Sequence, residues 1–283
     1  MNARSLYREA RARLAAMSVS DAELVAGELM RAFCGMRREE LLLSDRELSE
    51  GEERAFAAAL ERRLSGEPLQ YILGEWEFCG FPTKVRPGVL IPRGDSEHLA
   101  RAGAEWARRL GADRILDLCC GSGAVGLAAA KLSGVRATLV DISEPALALA
   151  AENAALYGVA ARTVRADVTR PFELGERFAV VVCNPPYIAY EERLSAEVTR
   201  FEPPQALFAP EGGLFFYRRL VEFADCFLER EGVLLFEIGA SQGDAVERLM
   251  EPRFSDLLRL RDYGGHDRVV VGRFRGTAKS NIC

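Results

Sequence analysis

The sequence predicts an α/β chain: a Rossmann-like, mostly parallel sheet covered by helices, preceded by a small helical bundle and a β-hairpin linker. Three observations carry that expectation. From about residue 93, short β-branched apolar runs alternate with Ala- and Leu-rich segments, the pattern left by parallel strands joined through crossover helices. Before residue 74 the chain is rich in helix formers and poor in β-branched residues. Between the two, Gly and Pro punctuate short aromatic runs, as in a hairpin.

Residues 1–73 are accordingly read as a helical domain. Ser20 with Glu23, Ser44 with Glu47 and Ser49 with Glu52 each have capping-box spacing. The Arg-rich residues 1–17 are read as its first helix rather than as a targeting segment. No catalytic constellation falls here, so the domain is expected to recognise a substrate. Residues 74–92 form the hairpin linker. Residues 93–275 form the sheet domain, with RILDLCC, ATLVDI, ARTVRADV, FAVVVCN and GVLLFEIG as strands and RDYGGHDRVVVGRF as a closing hairpin-like edge. Residues 276–283 are read as a disordered tail.

Composition narrows the function classes. A hydrophobic fraction of 49% over 283 residues suffices for a substantial core. The net charge of −5 argues against a protein that wraps duplex nucleic acid, which carries a broad basic excess. No apolar run reaches the roughly 18 residues of a membrane span. The seven cysteines lack CxxC spacing and the two histidines, His98 and His266, lie far apart. No metal site is therefore expected, and reduced thiols in a cytoplasmic protein are the simple reading.

The glycine loop DLCCGSGAVG places Asp117 at a strand end, followed by Gly121, Gly123 and Gly126. Glycine permits a sharp turn and close approach to a ligand, and the helix start beyond it offers free N–H groups. Asp141 ends the next strand, twenty positions after Gly121, where a carboxylate can accept from both hydroxyls of a ribose. This pair suits NAD as well as S-adenosylmethionine. Asp167 and Val168 follow the next strand, where an acid could reach an adenine amino group and Val168 could contact the ring.

The sharpest signal is Asn184-Pro185-Pro186-Tyr187 directly after FAVVVC. In an open α/β sheet, ligands sit at the carboxyl ends of strands, so this tetrapeptide belongs beside the glycine loop. Its chemistry fits a planar, amide-like nitrogen with two N–H donors. The Asn184 side-chain oxygen accepts one and the Pro185 carbonyl the other, while proline brings no competing N–H. Tyr187 offers an aromatic face to the flat group. Methyl transfer from S-adenosylmethionine is thus the expected reaction, with S-adenosylhomocysteine as product.

These blocks resemble the HemK/PrmC family, the release factor glutamine methyltransferases. The resemblance covers roughly residues 60–275 and rests on GEPLQYILGEWEFCG, LIPRGDSE, DLCCGSGAVGLA, VDISEPAL, NPPYI, RFEPPQALFAPEGGL and RDYGGHDRVVVGR in order. It implies a class I S-adenosylmethionine-dependent methyltransferase domain. The implied acceptor is the side-chain amide nitrogen N5 of the glutamine in the GGQ motif of peptide chain release factors. It further implies that Cys119, Cys120, Gly121, Ser122, Gly123, Asp141, Asp167, Val168 and Asn184 line the cofactor site. Asn184, Pro185, Pro186 and Tyr187 would hold the glutamine, with Asn184, Pro185 and Tyr187 closest to the chemistry.

Two features depart from the family pattern. Cys119-Cys120 stand where Gly-Thr is usual, with neither cysteine expected to need positive φ. LIPRGDSE keeps Arg93 and Glu97 but lacks a usual proline. An adenine-directed RNA or DNA N-methyltransferase would use the same acceptors, but should carry a basic reader domain, and residues 1–65 mix acids among their arginines. An NAD-dependent dehydrogenase would leave NPPY unexplained. The partner expected is a release factor, with no membrane and no stable nucleic-acid binding.

Overall fold

Helices open the chain in the computed structural model, which describes residues 2–276: α1 (Ala3–Ala16), α2 (Ala22–Cys34), α3 (Arg38–Leu43), α4 (Glu50–Leu64) and α5 (Leu69–Leu73). A hairpin follows, β1 (Glu75–Phe78) and β2 (Phe81–Lys84), and then α6 (Ser96–Leu110), β3 (Arg114–Leu118), α7 (Ala124–Ser133), β4 (Arg136–Asp141), α8 (Glu144–Tyr157), β5 (Ala161–Arg165) and β6 (Phe178–Cys183). The chain continues through α9 (Ala196–Phe201), α10 (Phe215–Glu222), α11 (Ala224–Phe227), β7 (Leu228–Glu237), α12 (Gly243–Met250), β8 (Phe254–Arg261) and β9 (Asp267–Phe274). One unit holds the chain up to Glu75 together with Ser195–Phe201; the other holds Trp76–Leu194 and the chain from Glu202 on. The expected tail falls, apart from Gly276, outside the described residues.

In the first unit, α1 buries Ala3, Leu6, Tyr7, Ala10 and Leu14, a spacing that puts them on one helix face. That face packs on α2, and α2 packs on α4, whose Phe56 is fully buried. The Ser49–Glu52 capping box forms, with Ser49 N–H donating to Glu52 Oε2 (2.8 Å) and Glu52 N–H to Ser49 Oγ (3.3 Å). The other two boxes do not. Asp21, at φ +55, occupies the N-cap of α2 without a side-chain bond, and Glu23 pairs instead with Arg38. Ser44 is the C-cap of α3 and accepts from Arg46 N–H (3.1 Å), because that helix ends at Leu43. The α9 segment joins this unit through Arg63–Glu197 (2.8 Å) and Arg200 donating to the Ser65 carbonyl (3.1 Å).

The hairpin turns through Cys79 (φ +54) and Gly80 (φ +82). Positive φ at both central residues is the two-residue turn that matches strand twist. Beyond it, a seven-stranded sheet runs in the order β5-β4-β3-β6-β7-β9-β8. Pairing is parallel from β5 to β7 and antiparallel for β7–β9 and β9–β8. Strand parity divides the core between the two faces. Ile115, Val180, Val182, Val233 and Leu235 pack with residues of α6 and α7, whereas Leu116, Leu118, Val181, Cys183, Leu234 and Phe236 pack with residues of α10, α11 and α12. Strand order reverses between β3 and β6, and a crevice at the carboxyl ends of two such strands is where ligands bind in open α/β sheets.

Candidate functional site

At that switch point lies a cavity of about 330 Å³. The loop after β3 contributes Cys119, Cys120, Gly121 and Ser122; β4 contributes Asp141; the loop after β5 contributes Asp167 and Val168; and the loop after β6 contributes Asn184 and Pro186. Gly123, Pro185 and Tyr187 do not line it.

Each loop residue is held for a reason. Gly121 donates its N–H to Asp141 Oδ2 (2.8 Å), and Ser143 N–H donates to Asp141 Oδ1 (2.9 Å). Burial nonetheless raises the Asp141 pKa above its ordinary value, with those backbone donors pulling it back. Gly126 serves the fold rather than a ligand. Its N–H donates to Asp117 Oδ2 (2.8 Å), and a Cβ there would lie 2.5 Å from Asp117 Cβ. Asp117 is pushed up to about 8, first by burial and then by neighbouring Asp141, against the Gly126 bond. Gly123 is the N-cap of α7, at φ +78.

Cys119 overturns one expectation: it sits at φ +59. A side chain in the left-handed region costs about 1–2 kcal/mol, which accounts physically for glycine being the residue suited to this place. Asp167 accepts from Thr169 N–H (3.0 Å) and Thr169 Oγ1 (2.6 Å) while remaining on the cavity wall. It therefore braces its own turn as well as facing the cavity. Val168 is buried beside it.

Asn184 is oriented by a residue the sequence does not single out: its Nδ2 donates to Ser96 Oγ at the start of α6 (3.1 Å). The amide nitrogen being engaged, Oδ1 is the atom left to accept. Pro185 and Pro186 are buried. Tyr187 turns inward instead of offering its ring to the cavity. Its ring packs against the α10–α12 core, its hydroxyl faces Glu237, and burial raises its pKa well above the ordinary value. Its carbonyl accepts from Gln242 Nε2 (2.9 Å), and Gln242 Oε1 accepts from Gly239 N–H (2.9 Å). This amide ties the loop after β6 to the end of β7. Ile188 N–H to the Leu207 carbonyl (3.0 Å) and Ala209 N–H to the Ile188 carbonyl (2.9 Å) fix the other end.

Glu202, in RFEPPQALF, is buried, accepts from Ile91 N–H (3.2 Å) and pairs with Arg93. It thus anchors the LIPR segment, whose Leu90, Pro92 and Arg93 complete the wall. Glu237 is the other residue that sequence reading misses. It is an acid at a strand's carboxyl end, as Asp117 and Asp141 are, and that shared position could have revealed it.

The wall is acidic in balance: Asp141 and Asp167 stand against Arg93 as the one basic side chain among its lining residues, and Arg93 is spoken for by Glu202. Such a surface favours a cationic ligand over a dianionic pyrophosphate.

A profile described as the PrmC N-terminal domain matches residues 5–74, and one described as a methyltransferase small domain matches residues 104–217. A "Release factor glutamine methyltransferase" of Nitratidesulfovibrio vulgaris is 36% identical over 278 residues, covering 95% of this chain and 94% of that protein. One from Fusobacterium nucleatum is 38% identical over 217 residues, covering 75% of this chain; the match spans 61% of that relative's length. Among solved structures, a methyltransferase from Pyrococcus furiosus superposes with a TM-score of 0.53 at 18% identity, covering 70% of this chain and 90% of that one. At that identity the likeness shows the fold alone, a Rossmann-like α/β domain.

Proposed function

This chain belongs to the family of release factor glutamine methyltransferases, and we propose that it methylates N5 of the glutamine in the GGQ motif of a peptide chain release factor, drawing the methyl from S-adenosylmethionine. The observation that carries this reading is the placement of Asn184, its amide nitrogen tied to Ser96, on the wall of the cavity that also gathers Gly121 and Asp141.

The residues present fit the cofactor. Asp141 keeps lone pairs for a ribose beyond the two backbone donors it already accepts. Asp167 and Val168 line the same cavity and would take the adenine, and the acidic wall suits a sulfonium cation. Cys119 to Gly123 supply the main-chain cradle, with Gly123 acting as the helix start behind it. Bound there, S-adenosylmethionine supplies a methyl carbon already activated toward transfer. The chain's own residues do the rest. Asn184 Oδ1 accepts one amide hydrogen of the substrate, and a main-chain carbonyl of the Pro185-Pro186 pair accepts the other. Electron density is thereby drawn toward a nitrogen whose lone pair is otherwise delocalised. Holding reacting atoms about 3–3.5 Å apart and in line can contribute several kcal/mol. Tyr187 acts from behind, by fixing the loop.

A glutamine side chain is small and common, so discrimination must come from contacts remote from the nitrogen. The helical residues 1–73 are proposed to supply them, in the cytoplasm where termination occurs. The test offers labelled methyl donor to a purified release factor, to its GGQ-to-GGA variant, and to RNA. Label on the first alone supports the reading; label on the RNA alone moves the assignment to an adenine-directed enzyme.

A further inference from the structure

Glu237 is an unusual residue for a strand core. It is fully buried at the last position of β7, and its Oε2 has no hydrogen-bond partner among the described residues. Parity explains where it points. Val233 and Leu235 face the α6–α7 layer, so Glu237 does too. In β6, Val182 faces the same layer, and Asn184 lies two residues on. Cys183 pairs with Phe236, which sets Asn184 and Glu237 side by side just past the last paired residues. Ser96, opening α6, accepts at its Oγ from Asn184 Nδ2 (3.1 Å), and the Ser96 and Tyr187 hydroxyls are near enough to the Glu237 carboxyl to lower its pKa.

We propose that Glu237 is a positioning residue, whose carboxylate draws the Ser96 and Tyr187 protons toward itself and so fixes the Asn184 carboxamide with Oδ1 outward. This rests on the reading that Asn184 accepts from the substrate amide. The direction of the relay follows from acceptor capacity. An ionised carboxylate only accepts. The Ser96 proton then points at Glu237, and a Ser96 lone pair is left for Asn184 Nδ2. A neutral Gln or a protonated Glu can itself donate to Ser96, which frees the Ser96 proton and lets the carboxamide turn over.

Protonation of this carboxyl falls in the working range, since burial pushes it up to about 7. Several groups face it. The Ser96 and Tyr187 hydroxyls lower it, Arg268 of β9 lowers it by charge, and Asp95 before α6 raises it. Its charge is also felt by Tyr217 of α10 and Cys183 of β6. Arg268 is itself committed to Asp95 (3.1 Å) and Asp262 (3.0 Å), and its Nε is another buried atom without a hydrogen-bond partner among the described residues.

Two readouts test the proposal on the full chain. The first is methylation of the release factor at saturating donor from pH 5.5 to 8.5, with S-adenosylhomocysteine affinity measured at each pH. Wild-type kcat should fall on acidification with a midpoint near 7. Glu237→Gln should lower kcat about tenfold or more, abolish that inflection and leave the affinity within about twofold. Ser96→Ala should resemble it, the double variant should be no worse than either, and Glu237→Asp should restore part of the rate and the inflection. The second readout needs no activity: the Asn184 side-chain amide resonance should titrate near pH 7 in the wild type and not in Glu237→Gln. A Glu237→Gln enzyme with wild-type kcat and inflection, or an Asn184 amide indifferent to pH, overturns the proposal. An inactive wild type whose Asn184 amide still titrates would instead sink the glutamine reading alone.

Discussion

Gly121 N–H donates to Asp141 Oδ2 across 2.8 Å, joining the glycine loop to the end of the neighbouring strand. The bond holds the carboxylate on the cavity wall. Asp141→Ala removes both this brace and the proposed ribose acceptor. A charge-assisted bond of this kind is worth about 1.5–3 kcal/mol, so S-adenosylhomocysteine affinity should fall roughly 10- to 150-fold. Calorimetry showing unchanged affinity in a folded variant removes Asp141 from the site.

Asn184→Ala should lower kcat by about 10²–10³, the usual cost of one preorganised group at a reacting centre. Cofactor affinity should change much less, because Asp141 and the loop after β3 are untouched. Single-turnover methylation of the release factor checks this, and wild-type turnover would contradict the assignment.

Proton linkage gives an independent handle on the cofactor. Asp117, raised to about 8, is largely protonated at pH 7. A bound cation favours its ionised form. S-adenosylmethionine should therefore release protons on binding near pH 7 and bind more tightly as pH rises toward 8. S-adenosylhomocysteine, which lacks the sulfonium charge, should release fewer. Calorimetry in buffers of different ionisation enthalpy measures the difference, and equal release for the two ligands would count against the acidic wall as a cation site.

Glu237 also predicts a conflict between stability and activity. Its pKa is raised from 4.5 to about 7 on folding, so the native state holds a proton that the unfolded chain gives up. Between those values stability falls as pH rises, and above 7 the full cost of the buried charge remains. Glu237→Gln should thus stabilise the protein at pH 8, by up to about 3 kcal/mol less what its altered hydrogen bonds cost. Near pH 4.5 the gain should vanish. Denaturant unfolding at the two pH values decides; a variant destabilised at pH 8 would show that the carboxylate is not strained by burial.

Much of the architecture was readable because strand and helix leave different periods in the sequence. RILDL, RATLVD and FAVVVC fall on β3, β4 and β6, and Gly121, Asp141 and Asn184 follow from the rule that ligands meet strand ends. What stayed hidden depended on partners distant in sequence. Ser96 meets Asn184 across 88 positions, and a serine at a helix start reads as an ordinary cap. Tyr187 looked like a cavity face because an aromatic in a loop gives no sign of which way it turns. Ser20 and Ser44 had capping-box spacing, but Asp21 takes the N-cap of α2 and α3 stops at Leu43. Cys119 gave no hint of its φ of +59, since backbone sign is set by the turn and not by the residue.

The most direct test of the central claim is tandem mass spectrometry of a release factor incubated with the wild-type enzyme and isotopically labelled S-adenosylmethionine. One labelled methyl on the side-chain amide of the GGQ glutamine, absent with Asn184→Ala, is the predicted result. A label on any other residue, or no label on a release factor while RNA present in the same reaction acquires it, would contradict the account.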